Sequence, residues 1–268
     1  MDILGFAFMQ RALVAGALVG IAAPAVGIFI VQRRLSLMGD GIGHVAFAGV
    51  AAGLVLSISP ILSALVFAIC GAIAIELLRN DPRTQSDMAL ALVFYGGIAG
   101  GVLLLGFGDV STINLHSYLF GSVVTVSDND LWLVSTVAAC VVVPSFALRK
   151  HLFAIAYDEE VARVSGLPVV SLNIVVALLA AFAIAATAKV VGILLVASML
   201  VLPVAAAQQV TRSFRATAYA SMGFGAAAAV GGLVIAFYAD VFPAATIVLL
   251  SILAFVVASL LSRTRLIG

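Results

Sequence analysis

The chain has 268 residues; 64% are hydrophobic, 9% are charged, and the mean hydropathy is +1.28. Soluble domains carry about 25% charged residues, so this composition excludes an ordinary soluble enzyme and points to a polytopic membrane protein. A net charge of +1 without a long basic run lends no support to a nucleic-acid partner.

Nine apolar segments approach the length that crosses a bilayer as a helix, about 17–25 residues. They run over 8–31, 40–58, 61–78, 88–107, 131–148, 169–186, 190–208, 216–237 and 244–262. A tenth run, 113–125, is too brief to span and reads as a short re-entrant segment. The first segment is too long for the core of a signal peptide, so it reads as a retained span. The expected fold is an all-α, polytopic helical bundle forming one permease domain over 1–268. It has about nine membrane-embedded helices, of which eight or nine span.

The second segment holds Asp40 and His44 in Gly39-Asp-Gly-Ile-Gly-His-Val-Ala-Phe-Ala-Gly49. An ionisable residue in hydrocarbon costs roughly 2.5–3.5 kcal/mol on insertion scales. At positions i and i+4 the two side chains share one helix face. They offer an oxygen and a nitrogen to a divalent transition metal. The plainer reading is a hydrogen-bonded pair that pins two helices together. Gly16/Gly20, Gly49/Gly53 and Gly97/Gly101 have the small-xxx-small spacing of close helix contacts, within a bundle or across a dimer. Cys70 and Cys140 lie in apolar runs without a CxxC and read as small buried hydrophobes.

Basic residues follow alternate segments. Arg33, Arg34, Arg79, Arg83, Arg149, Lys150, Arg163, Arg212, Arg215, Arg263 and Arg265 all fall on one side if every segment crosses once. Arg11 and Lys189 fall on the other. The positive-inside rule then puts the N-terminus outside and the C-terminus in the cytoplasm. Within 169–208 no Pro or Gly separates the two segments. The charge rule favours a hairpin there, turning near Thr187-Ala-Lys189; short or broken helices are the alternative. Asp109, His116, Asp128, Asp130 and Asp240 would project outside, as a vestibule that concentrates cations or as ordinary helix caps.

The connection 149–168 is the largest on the cytoplasmic side. Asp158 can cap a helix of two or three turns whose first turn holds Glu159 and Glu160, and Gly166 and Pro168 stop it. With Val161, Ala162 and Val164 it reads as a docking helix. No GxxxxGK[ST], HExxH or GxSxG occurs, so ATP binding, zinc proteolysis and a serine nucleophile have no local support.

Four stretches taken in order resemble the integral-membrane permease of bacterial ABC importers for zinc, manganese or iron. They are Arg33–Ala51 with Asp40 and His44, Ser117–Ser122 followed by Val126–Leu131, Tyr157–Pro168, and Lys189–Val196 continuing to Leu202-Pro203-Val-Ala-Ala-Ala. The resemblance covers essentially the whole chain. It implies a non-enzymatic transport subunit in the bacterial cytoplasmic membrane, dimeric and seated on two separate ABC ATPase subunits. An extracytoplasmic metal-binding protein would feed it, and no cofactor would be permanently bound. It implies that Asp40 and His44 lie on the metal path, and that Asp158, Glu159, Glu160, Ala162 and Gly166 belong to the helix coupled to the ATPase. Gly43 departs from the family, where Ser commonly precedes the His. His44 lies about 15 Å beyond the Arg33–Arg34 surface at 1.5 Å per residue, near the middle of a core about 30 Å thick. A two-fold axis would bring two Asp40 and two His44 together, a ligand set suited to zinc and acceptable to manganese. Zinc is the favoured cargo from sequence. The rival reading is a proton-coupled secondary metal transporter, which would need neither the docking helix nor an ATPase.

Overall fold

The computed structural model describes residues 5–108, 118–121, 127–188 and 192–264. Its helices are α1 (Ala7–Gln32), α2 (Met38–Val55), α3 (Pro60–Arg79), α4 (Ser86–Gly106), α5 (Asp128–Ala147), α6 (Arg149–Tyr157), α7 (Glu159–Val164), α8 (Val169–Thr187), α9 (Val196–Val210), α10 (Phe214–Ala239) and α11 (Pro243–Thr264). No strand occurs among the described residues. Eight of these helices are long and apolar enough to cross a membrane. In such a solvent every backbone polar group must be satisfied within its own helix, so the apolar composition itself enforces helices.

The seventh expected segment is the shorter alternative. Its helix, α9, has 15 residues, about 22 Å at 1.5 Å per residue, and falls short of the hydrocarbon thickness. The chain reaches it through Gly192 at φ +86° and a 3₁₀ turn, Ile193–Leu195. A Cβ on Gly192 would lie 2.6 Å from the backbone nitrogen of Gly121, so the 118–121 segment lies against the space above the shortened helix. Instead of pairing closely with α8, α9 packs on α1, α10 and α11.

α1, α2 and α8 are mostly buried, whereas α4, α5 and α11 present most of their surface outward. α2 packs against α3, α4 and α8; α1 packs against α5, α8, α9 and α10. All three glycine pairs are contacts inside the bundle. Gly20 of α1 crosses Gly225 of α10, Gly49 and Gly53 of α2 meet Ser63 and Pro60 of α3, and Gly97 and Gly101 of α4 meet α2. The expectation of buried cysteines is corrected: Cys70 and Cys140 are exposed, on faces of α3 and α5 turned away from the core.

One of these crossings lies beside the candidate site. A Cβ on Gly97 would sit 2.6 Å from the backbone nitrogen of Val45 and 2.7 Å from the carbonyl carbon of His44. Gly97→Ala is therefore expected to push α4 off α2 and to cost about 1–3 kcal/mol, the usual range for overpacking. Thermal unfolding of the detergent-purified chain measures it, with exposed Gly96→Ala, which should melt at the same temperature or slightly higher, as the neighbouring control.

Candidate functional site

Asp40 occupies the first turn of α2, where the helix dipole favours a carboxylate, and His44 stands one turn further in. The glycines around them clear the other faces of the helix. Ideal Cβ positions on Gly39 would meet Leu200 and Ala197 of α9 at 3.0–3.2 Å, and one on Gly41 would meet Ile75 of α3 at 3.4 Å. Both functional side chains are half-buried. The His44 ring stands edge-on to Phe94 of α4, with centroids 4.4 Å apart and planes at 72°. Neither Asp40 nor His44 forms a side-chain hydrogen bond or ion pair with a described residue, so nothing there acts as the pin of the plainer reading. The pair leaves a carboxylate and an imidazole without hydrogen-bond or ion-pair partners on one helix face, an oxygen and a nitrogen that could serve as ligands. Among the described residues no group of three or more His, Cys, Asp or Glu side chains converges.

Gly43 abuts the 3₁₀ turn, its ideal Cβ meeting only the Ile193 carbonyl oxygen, at 3.5 Å. That is ordinary contact, and Gly in a helix interior costs about 0.5–1 kcal/mol relative to Ala. Gly43→Ser is accordingly expected to leave import unchanged and the melting temperature equal or slightly raised.

Of the residues expected at the opposite end of the bundle, Asp128 and Asp130 have side-chain partners. Asp128 pairs with Arg11 at 2.6 Å. Asp130 completes a capping box with Ser127, accepting from its backbone nitrogen at 2.9 Å. The phenol of Tyr118 is held above its ordinary pKa by burial and, secondarily, by Asp130, which places the 118–121 segment beside the start of α5. Asp240 is the left-handed C-cap of α10 (φ 53°). Asp109 and His116 lie outside the described residues.

The connecting segment holds two helices where one was expected. α6 precedes α7, and α7 is only six residues long. Asp158 caps it by accepting from the Val161 nitrogen at 3.0 Å. Gly166 (φ +83°) closes it in a Schellman motif: Leu167 N–H donates to Ala162 C=O and Gly166 N–H to Arg163 C=O, both at 3.1 Å. Ala162 is buried, which corrects its place in the docking set: it seats α7, while Val161 and Val164 face outward, 60% and 90% exposed.

An ionic cluster under α7 was not anticipated. Glu159 accepts from Arg33 at 3.0 Å and from Asn173 at 3.1 Å, and lies 3.7 Å from Arg163. Glu76 and Arg79 form a second, deeply buried pair at 2.5 Å. Burial first and Arg79 second hold the Arg33 guanidinium below its ordinary pKa, against the pull of Glu159 and Glu76. Oε2 of Glu76, Nε of Arg79 and Oδ1 of Asn173 are buried without a hydrogen-bond partner. The cluster joins the end of α1, the end of α3, the start of α7 and α8. Its signal in the sequence was Glu76, an acid inside the apolar run 61–78.

Eight spanning helices and a half-buried acid–imidazole pair define a multi-pass membrane permease. The sequence pattern of the ABC 3 transport family matches residues 5–262, and the chain belongs to that family. A protein of Treponema pallidum (strain Nichols) named "Probable metal transport system membrane protein" is 35% identical over 250 residues, 93% of each chain. The "Manganese transport system membrane protein MntC" of Listeria monocytogenes is 31% identical over 258 residues, 96% of this chain and 92% of its own. A chain of the solved structure "PsaBC from Streptococcus pneumoniae in complex with Fab" superposes with a TM-score of 0.86 at 32% identity, covering 96% of this chain and 92% of the other.

Proposed function

We propose that this chain is the permease of an ABC importer that carries a divalent transition metal, manganese foremost, into the cytoplasm. The observation that carries the proposal is the bare Asp40/His44 pair, half-buried on the glycine-cleared α2. Sequence alone favours zinc. Relatives along the full length are named for manganese, and a site of one carboxylate and one imidazole without thiolate suits that ion. The proposed arrangement is two permease copies on two ATPase subunits, with a metal-binding protein outside. The Arg33, Arg79, Arg149 and Arg215 end faces the cytoplasm, as the positive-inside rule requires. α7 supports the ATPase partner, since it is capped at both ends yet exposes Val161 and Val164.

The test is uptake of radiolabelled manganese by proteoliposomes holding the permease, its ATPase and the loaded binding protein, with zinc as competitor. Uptake that proceeds at full rate without ATP would instead favour a proton-coupled carrier. Ligands must be deprotonated to hold a metal. Uptake is therefore expected to fall as pH drops from about 7.5 to about 5.5. With binding-protein loading held constant, a flat profile would remove His44 as a ligand.

A further inference from the structure

A cavity of about 310 Å³ opens where α1, α5, α6 and α10 meet. Aromatic rings wall it: Phe214 lies 5.6 Å from Phe29 and 4.7 Å from Phe153, and Phe146 lies 6.0 Å from Tyr219. Arg149, Lys150 and Arg215 also line it. All three are exposed, and none has an ion pair with a described residue, whereas Arg11, Arg33, Arg79 and Arg163 each pair with a carboxylate. The N-terminus of α10, capped by Ser213, adds its positive dipole end to the same rim.

We propose that this cavity binds an anionic phospholipid of the adjoining leaflet, its phosphate on Arg149, Lys150 and Arg215 and an acyl chain against the rings. The depth of the cavity argues for a lipid over a small anion. Its α1 wall runs from Phe29 to Ala25, about 6–12 Å from Arg33 toward the hydrocarbon at 1.5 Å per residue. A phosphate ion would occupy only the cationic rim and leave the aromatic interior unfilled. Basic pockets between membrane helices at the cytoplasmic surface are suited to such headgroups. The choice of the inner leaflet rests on the orientation proposed above; the site itself does not.

The test is native mass spectrometry of the full-length chain in detergent with phosphatidylglycerol or phosphatidylcholine of identical acyl chains. Retention of phosphatidylglycerol is expected to exceed that of phosphatidylcholine by at least about fivefold, and excess inorganic phosphate is expected not to displace it. Combined Arg149→Gln, Lys150→Gln and Arg215→Gln, all at exposed positions, should abolish the preference without lowering the melting temperature. Equal retention of the two lipids, displacement by phosphate, or a preference that survives the triple substitution would overturn the site. So would unchanged lipid retention by the triple variant together with loss of copurifying ATPase, which would assign the cations to a protein interface. Sidedness is read separately, by impermeant maleimide on Lys150→Cys with Cys70 and Cys140 replaced by Ser. Labelling from outside would reverse the orientation and move the lipid to the other leaflet while leaving the binding result intact.

Discussion

Replacing Asp40 and His44 together by alanine is expected to reduce ATP-driven metal import to the level seen without ATP, while the chain remains folded. The two halves of this expectation have separate causes. Import fails because the acid–imidazole pair on one face of α2 is gone. Folding survives because neither side chain bonds to a described residue, so no partner is left unsatisfied. Import by the full assembly and thermal unfolding in detergent measure the two halves. Undiminished import would end the metal-path assignment; collapse of the fold would show that the pair is structural after all.

The ionic cluster beneath α7 supplies the second large effect, and its two carboxylates should behave differently. The Glu76 side chain is 1% exposed and that of its partner Arg79 is 11% exposed. Glu76→Ala leaves Arg79 buried without its carboxylate, next to Arg33. Breaking a buried pair in this way costs about 3–5 kcal/mol, so a marked fall in melting temperature is expected. The Glu159 side chain is 35% exposed, and solvent screening reduces what its pairs contribute. Glu159→Gln keeps the shape and one acceptor oxygen, enough for Asn173 or Arg33 but not both; at this partly exposed position water can take the donor left over, so the fold should hold. The charge that ties α7 to the end of α1 is lost, however. The expected outcome is ATP hydrolysis that continues with diminished metal import. An unchanged ratio of metal moved to ATP consumed would show that the cluster holds the fold together and transmits nothing. The three buried polar atoms without partners fit a network that exchanges partners between two packings of the bundle.

How far the site could be read from the chain depends on the range of the interactions concerned. The Asp40/His44 spacing needs only the helical repeat, and the caps at Asp158 and Gly166 need only their nearest neighbours. Those features were legible. The outer acids were legible as residues but not as partners, because the Asp128–Arg11 pair joins positions 117 residues apart. Ala162 was placed on the docking face because its neighbours are apolar. A six-residue helix is too short for periodicity to say which side meets α6 and α8.

By itself the sequence determined that the chain is a helical membrane protein, where its ionisable pair lies and on which helix face. Composition and the 3.6-residue repeat act locally, and lipid allows an apolar segment little besides a helix. Only the tertiary structure decided that α9 stops short beneath the 118–121 segment, that the glycine pairs join helices of one chain, and that Glu76, Arg79, Arg33 and Glu159 gather beneath α7. Each of these depends on which helix packs against which, and between apolar helices in lipid that choice rests on shape and a few buried polar contacts, which linear spacing does not encode.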